Sequence, residues 1–479
     1  MGGMLAEADV IVHKFGGTSV GNAQRFASVA DILSERSNRS DTGDTEIVVV
    51  LSAMSGVTDQ LIAGARAAAE GKDSVYREIK ASLLSRHLEV VEALLAKHRE
   101  RLAVGGLIED RLHELQRFYR SIAMLGELTA RGYDAVASFG EELSTHILAA
   151  VLRERGMRAQ AVSATELIVT DEAFGAASPL MAQTQQCLLD RIPPLLERGT
   201  VPVVSGFAAA TSQGVVTTLG RGGSDFTAAI IGSCLEADEI WIWSDVDGIL
   251  TADPNIVPHA RTLKELSYAE AAELAYYGAD VLHPKTIRPV IGKGIPLRIV
   301  NSFNPSHVGT SIVETPQPER QLLPAIISTT GLSLIAIGSH DDSWTLQMAA
   351  RALQELSDAG VDVLMFSQSF SEHNLNLVVR QQDQAHSLMT LSREFENGGP
   401  DSIYALGAQE QVATISVVGI PDWNDTGIVS HAFAALGRHG TRVIAVAQAA
   451  TEYSVSFCIP QEEVIDTVRF LHGELGLEA

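Results

Sequence analysis

Through most of the first three hundred residues, short apolar runs alternate with helix-patterned stretches, and several of the joins are glycine turns. Residues 10–12 are apolar and run into Lys14-Phe15-Gly16-Gly17-Thr18-Ser19, after which residues 20–33 continue at helical spacing. The β-branched run 47–51 leads in the same way into Ser52-Ala53-Met54-Ser55-Gly56 and a second helical pattern. Further strand-like runs lie at 135–138, 159–162, 201–205, 240–243 and 296–299. Residues 60–130 contain no proline and are rich in Ala, Leu, Glu and Arg, so they read as a helical insertion, a hairpin. Strands alternating with helices restrict this part of the chain to an α/β fold with a mostly parallel sheet.

Charge narrows the ligands. The 479 residues include 35 Lys and Arg against 59 Asp and Glu, a formal charge of −24. Neutralising nucleic-acid phosphates takes a basic patch, so nucleic acid is excluded as a partner. Small anions are not, because a few cations in glycine loops can hold a phosphate inside an acidic protein. Cys187, Cys234 and Cys458 are widely spaced and form no CxxC, which suits a reducing cytoplasm. The acidic N-terminus lacks a signal-peptide pattern, and no apolar run of about 18 residues predicts a membrane span. The 14 histidines show no metal-ligand spacing, so no structural metal is expected.

At roughly 100–200 residues per domain the length suggests about three domains. Pro316, Pro318 and Pro324 mark a linker between a first block, 1–315, and a C-terminal block. That second block reads as β-α-β-β-α twice, at a spacing near eighty residues: strands at 333–337, 361–366 and 375–379, then at 414–418, 441–447 and 454–459. Gln368 with Ser371-Glu372, and Gln448 with Thr451-Glu452, recur in register. A repeat of this kind points to two copies of one small domain.

Five segments carry chemistry-bearing residues. In Lys14–Ser19, two glycines between strand and helix let backbone N–H groups approach an anion, and Lys14 adds positive charge there. Neither GxxxxGK[ST] nor GxGxxG occurs. Leu219-Gly220-Arg221-Gly222-Gly223-Ser224-Asp225 sets an arginine fork for a carboxylate or phosphate among three glycines, with Asp225 able to accept from an amine. Ser244-Asp245-Val246-Asp247-Gly248 places acids at the carboxyl end of a strand, where open α/β sheets bind ligands. Phe139-Gly140-Glu141-Glu142 puts a carboxylate at a helix start, which capping explains as well as function does. His283-Pro284-Lys285 reads as a turn, with His283 in a packing role.

In this order, K-F-G-G-T-S at 14–19, V-L-S-A-M-S-G-V-T at 50–58, F-G-E-E-L-S at 139–144, L-G-R-G-G-S-D at 219–225, S-D-V-D-G-I at 244–249 and V-L-H-P-K-T at 281–286 resemble the amino-acid kinase superfamily and, within it, the aspartokinases. The doubled C-terminal unit resembles a pair of ACT domains. The resemblance implies a kinase fold with a mostly parallel central sheet, followed by two α+β, ferredoxin-like ACT domains at 329–400 and 401–479 after a linker at 316–328. It implies phosphoryl transfer from ATP, with Mg²⁺, to the side-chain carboxylate of L-aspartate. Since the nucleophile is already a carboxylate, positioning and charge neutralisation suffice.

Carried over by position, Lys14 and Asp225 are the catalytic pair, with Lys14 stabilising the phosphoryl group and Gly16 and Gly17 around it. Arg221 grips the aspartate α-carboxylate; Glu141 and Asp225 meet its amino group or organise Lys14, and Thr58 and Ser224 are further contacts. Ser244, Asp245, Asp253 and Lys285 border the nucleotide. Ser244 stands where Thr is usual, Leu250 where Tyr is usual, Asn255 where a basic residue is usual, and Asp280 where Lys or Asn is usual. Gln368, Asn374 and Gln448 fall in the effector region, with threonine the expected inhibitor and lysine the other candidate. ACT pairing between chains makes a homodimer or higher homo-oligomer the expectation, and no homoserine dehydrogenase is expected to follow. Two other readings remain beside it. A different amino-acid kinase, such as acetylglutamate kinase or a nucleoside-monophosphate kinase, would usually lack the ACT pair. A non-catalytic sensor would not need Lys14.

Overall fold

The structure is a computed structural model that describes residues 9–37, 45–276, 282–317, 324–338, 345–369, 373–395, 405–419, 427–448 and 454–477. Two compact units make up the chain: 1–249, 264–268 and 280–317 form the first, and 250–263, 269–279 and 318–479 the second.

The first unit is built as expected for alternating strands and helices. In chain order it contains β1 (Val10–Phe15), α1 (Ala23–Ser37), β2 (Glu46–Leu51), α2 (Val57–Ala69), α3 (Asp73–Leu94), α4 (His98–Leu125), α5 (Ala130–Ala137), α6 (Phe139–Glu154), β3 (Ala159–Val162) and β4 (Val169–Thr170). There follow α7 (Met181–Arg191), α8 (Pro193–Leu196), β5 (Val201–Ser205), β6 (Ala208–Thr211), β7 (Val216–Thr218), α9 (Gly223–Leu235), β8 (Glu239–Ser244), β9 (Glu265–Ser267), α10 (Tyr268–Tyr276, mostly in the second unit), α11 (Pro284–Ile291), β10 (Leu297–Asn301) and β11 (Thr310–Val313). The main sheet runs β3-β5-β2-β1-β8-β10-β11-β9 and is parallel except where β10 meets β11. A small sheet, β4-β6-β7, stands apart from it.

Two expectations change. Residues 135–138 lie in α5 and its C-terminal cap, not in a strand. A short apolar run is ambiguous by pattern alone, and Thr129 decides it by accepting the Gly132 N–H at 3.1 Å as an N-cap. The helical insertion contains three long helices, not a hairpin, because the chain breaks at Gly71, in the left-handed region with φ +72°, and again after Leu94. These helices share one core with the main sheet, in which Tyr119 is buried and donates to the Leu61 carbonyl at 2.9 Å. Among the described residues, no helix is long and apolar enough to cross a membrane.

The second unit holds β12 (Ala325–Gly338), α12 (Leu346–Asp358), β13 (Met365–Ser369), β14 (Asn374–Arg380), α13 (Gln384–Phe395), β15 (Ala405–Val418), α14 (Gly427–His439), β16 (Ala445–Gln448), β17 (Ser454–Pro460) and α15 (Val464–Glu474). Its six-stranded antiparallel sheet is ordered β13-β14-β12-β15-β17-β16, two copies of one arrangement joined along β12 and β15. The copies keep one register: Gln368 faces Leu375 and Gln448 faces Val455, each 80 positions on from its counterpart.

The core of the second copy also includes a segment that precedes the linker by more than fifty residues. Ala252 and Val257 are buried there with Ile415, Val417, Phe457 and Val468. Thr251 accepts the Ile326 N–H at 2.8 Å through its carbonyl, and its hydroxyl lies 3.0 Å from His472 Nε2. Arg469 Nε donates to the Ile256 carbonyl at 2.9 Å. Placing an unpaired carboxylate in this core with Val257→Asp should cost the second unit ~3 kcal/mol. Hydrogen exchange should then accelerate in β15 and β17 and stay unchanged in β1 and β2.

Candidate active site

Strand β1 lies between β2 and β8, with Lys14 opposite Val50 and Ile242. From β1 the sheet grows through β2, β5 and β3 on one side and through β8 and β10 on the other. Strand order therefore reverses between β1 and β8, and the crevice beyond their carboxyl ends is where such sheets take ligands. Phe15 and Trp243 stack across this pair with centroids 5.4 Å apart.

Lys14 is only 8% exposed, and its Nζ lies 2.5 Å from Asp225 Oδ1. Asp225 occupies the first turn of α9, where its charge also suits the helix dipole. The turn before it depends on Gly222, at φ +72°: a Cβ there would lie 2.5 Å from that of His283. His283 caps α11 by accepting the Lys285 N–H at Nδ1, 3.2 Å away, the packing and turn role expected of it. Burial lowers the His283 pKa, as do the positive charges of Lys285 and Arg221, while Asp225 opposes them. Arg221, Asp225, His283 and Lys285 thus share one electrostatic neighbourhood. Ser224 is nearly buried beside Asp225, and Arg221 is exposed at the loop tip.

Glu141 is buried in the first turn of α6. Burial pushes its pKa from 4.5 up to about 8, against the opposing pull of hydrogen bonds from its own N–H and that of Ala53. Its Oε2 has no hydrogen-bond partner among the described residues. A buried carboxyl with an uncommitted oxygen is suited to receive a cationic ligand group. Ala53 also packs on the Lys14 turn: a Cβ on Gly17 would lie 2.9 Å from the Ala53 carbonyl oxygen, and Ser55 N–H donates to Gly17 O at 3.1 Å. Ala53 thereby joins three of the motifs. Thr58 is half-buried in the first turn of α2.

Some expected groups are engaged elsewhere. The Gly16 N–H donates to the Trp243 carbonyl at 3.3 Å, so it ties β1 to β8 instead of surrounding an anion. Asp253 belongs to the second unit, not the one holding Lys14, and its Oδ1 accepts both the Asn255 backbone N–H and Nδ2, at 2.9 and 3.0 Å. Asp280, Ser371-Glu372 and Thr451-Glu452-Tyr453 lie outside the described residues, as do linker positions 318–323 and most of 419–427.

Ser244 and Asp245 stand at the end of β8, the serine hydroxyl 3.3 Å from Asp245 Oδ1. Here the structure adds residues that motif reading missed. Ser302 donates to the Ser244 carbonyl and pairs its hydroxyl with that of Ser19, 2.8 Å away. Asn301 and Asn304 both donate to Asp247 Oδ1, at 3.0 and 3.1 Å. The only sequence signal was Asn301-Ser302-Phe303-Asn304 directly after a strand.

In the second unit, Gln368 and Asn374 lie on adjacent strands one register step apart, since Ser369 faces Asn374. Gln368 Nε2 is buried without a hydrogen-bond partner among the described residues, whereas Gln448 is exposed at the end of β16.

Residues 9–301 match the amino acid kinase family, and 344–395 and 415–475 match an ACT domain. Aspartokinase 1, chloroplastic, of Arabidopsis thaliana is 33% identical over 472 residues, covering 96% of this chain and 79% of that protein. The chain spans about half the length of the bifunctional aspartokinase/homoserine dehydrogenases it matches, 50% for one from Arabidopsis thaliana at 32% identity over 485 residues and 97% of this chain. The crystal structure of E. coli aspartokinase III in complex with aspartate and ADP (R-state) is similar at a TM-score of 0.80 and 27% identity, covering 98% of this chain and 100% of that one. The same protein in complex with lysine and aspartate (T-state) gives 0.79 and 27%, with 97% and 99% covered.

The Glu141 pKa has a measurable consequence. A group raised on folding contributes stability that is fully present below its unfolded value, near 4.5, and lost as pH rises through its folded value, about 8. Glu141→Gln removes that loss. The variant should gain on the wild type between pH 5 and 9, by on the order of 3 kcal/mol, in urea unfolding of the first unit.

Proposed function

The chain belongs to the amino acid kinase family and, within it, to the aspartokinases, and from that premise we propose that it is an aspartate kinase. The reaction is transfer of the γ-phosphoryl group of MgATP to the side-chain carboxylate of L-aspartate, giving 4-phospho-L-aspartate. The observation that carries this reading is the buried Lys14–Asp225 pair at the switch point of the sheet. A binding module has no need to hold a lysine there, whereas phosphoryl transfer needs positive charge where the transferring group passes. Similarity to an enzyme captured with aspartate and ADP supports the same reading.

The residues divide the work by chemistry. Lys14 neutralises charge on the transferring phosphoryl group, and Asp225 keeps its ammonium in place. Arg221 takes the α-carboxylate in a fork. Glu141, buried with one oxygen uncommitted, receives the α-amino group. Thr58 and Ser224 add hydroxyl contacts, and Ser244, Asp245 and Lys285 border the nucleotide. Asp253 is the remaining nucleotide position that the resemblance implies. No general base is required. Mg²⁺ arrives with ATP as part of the substrate; among the described residues, no cluster of three or more His, Cys, Asp or Glu is placed to hold a resident metal.

We place the kinase domain at 1–315, a linker at 316–328 whose last four residues already belong to β12, and ACT domains at 329–400 and 401–479, in a cytoplasmic homodimer or higher homo-oligomer. An amino acid bound near Gln368, Asn374 and Gln448 regulates the enzyme, with threonine first and lysine second in expectation. Gln368 Nε2, buried and without a hydrogen-bond partner among the described residues, supports a polar ligand there.

Aspartyl hydroxamate should accumulate when the protein is given aspartate, MgATP and hydroxylamine; its absence under varied conditions would exclude the reading. Lys14→Ala should lower kcat by ~100-fold or more. A rise in KM for ATP alone would mean that Lys14 only binds substrate. Millimolar threonine should inhibit the purified enzyme, and activity unchanged by it would remove threonine as the effector.

A further inference from the structure

Asp134 was not among the expected functional residues, yet its carboxylate is fully buried in the first unit. Both oxygens are engaged. Oδ2 accepts the N–H of Gly175 at 2.9 Å and that of Thr218 at 3.0 Å, while Oδ1 accepts the Thr218 hydroxyl at 2.7 Å. An asparagine cannot reproduce this set, because its amide offers one acceptor oxygen and would turn an NH₂ toward a donor.

What the carboxylate joins matters more than its burial. Asp134 sits on α5, and the Ser138 N–H donates to its backbone carbonyl at 3.2 Å where α5 runs into α6. Seven residues after Asp134, in the first turn of α6, stands Glu141. On the other side, Thr218 ends β7 three residues before Arg221. Gly175 belongs to a loop laced onto the same strand: Ala177 N–H donates to the Thr218 carbonyl at 2.8 Å. That loop also backs Gly220, which has φ +75° and whose added Cβ would come 3.1 Å from the Gly175 carbonyl oxygen. Asp171 holds the loop's shape by accepting the Ala173 and Ser178 N–H groups.

We propose that Asp134 is a positioning residue that fixes the separation between Glu141 and Arg221, the two groups that grip opposite charged ends of the amino-acid substrate. The proposal rests on the assignment of those two residues under the aspartate kinase reading. An α-amino acid carries its ammonium and carboxylate at a fixed short spacing, so its binding depends on the spacing of the two counter-charges. Glu141 and Arg221 lie far apart in sequence and on different elements. Asp134 is a buried polar link between α5, which runs into the helix of Glu141, and β7, which leads to Arg221, with no contact of its own to the Lys14–Asp225 pair among the described hydrogen bonds.

The test is steady-state kinetics by the hydroxamate assay on full-length wild type, Asp134→Asn and Thr218→Val. Wild-type turnover of aspartate comes first, because its absence fails the aspartate kinase reading and the proposal that depends on it. Given turnover, Asp134→Asn should raise KM for aspartate about 10-fold or more, with KM for ATP within about 2-fold of wild type. Thr218→Val, which deletes one of the three hydrogen bonds, should do the same to a smaller degree and decides the matter alone if Asp134→Asn does not fold. Wild-type KM for aspartate in the folded variants, or equal rises in both KM values, would overturn the positioning role and leave the aspartate kinase reading intact.

Discussion

A lysine ammonium and an aspartate carboxylate 2.5 Å apart, both mostly withdrawn from water, set the terms for the rest of the first unit. Desolvating two charges costs several kcal/mol, and their attraction offsets that only in good geometry. Lys14 is held by a central strand paired on both sides, and Asp225 by a helix whose start is forced by a left-handed glycine against His283. The strand order puts this pair where the sheet, starting from β1, extends through β2 on one side and β8 on the other. Neighbouring motifs then close around it, Ala53 through its backbone against Gly17 and Glu141, and Ser302 through its hydroxyl between Ser19 and Ser244. The site is assembled from segments nearly three hundred residues apart in sequence, so its geometry is a property of the sheet and not of any single loop.

Legibility in the sequence followed chemical type. Lys14, Arg221 and Asp225 were readable because charged residues beside glycines at strand–helix joins have few structural explanations, whereas Glu141, at a helix–helix join where capping explains a carboxylate equally well, was readable only through the resemblance. The parallel sheet was readable because its buried strands are continuous β-branched runs. Asp134 was not, since a single Asp in an Ala- and Val-containing stretch looks like helix surface, and its neighbours 135–138 resembled a strand. Its three donors come from residues 175 and 218, which no local pattern connects to it. Short strands such as β4, β6 and β7 were equally hidden, being too short to show alternation. The Gly16 N–H seemed available to a ligand, but strand pairing with β8 had the prior claim on it.

The second unit shows how far duplication constrains a fold. Both copies keep the same strand register after a shift of 80 residues, although few side chains are shared. Buried aliphatic positions explain that persistence: a one-residue slip would turn the inward face of β14 or β17 to solvent. Polar positions at strand ends are under no such restriction. Gln368 and Gln448 are at equivalent register, yet one amide is buried and the other exposed. A shared strand register therefore does not carry over the burial of the polar groups at its strand ends.

The burial of Ala252 and Val257 in the core of the second ACT copy has a consequence for modularity. Descriptions of such a chain as a kinase block with a regulatory cassette appended after a linker imply that the cassette could be cut out, exchanged or grafted. Here the cassette borrows part of its interior from a loop encoded between two strands of the kinase sheet, β8 and β9. A fragment beginning after residue 318 would carry an open apolar gap where that loop belongs, and a kinase domain ending at 315 would leave the same apolar residues uncovered. Because that loop lies in the second unit's core, recombination between relatives preserves this core only if it moves the loop together with the C-terminal half.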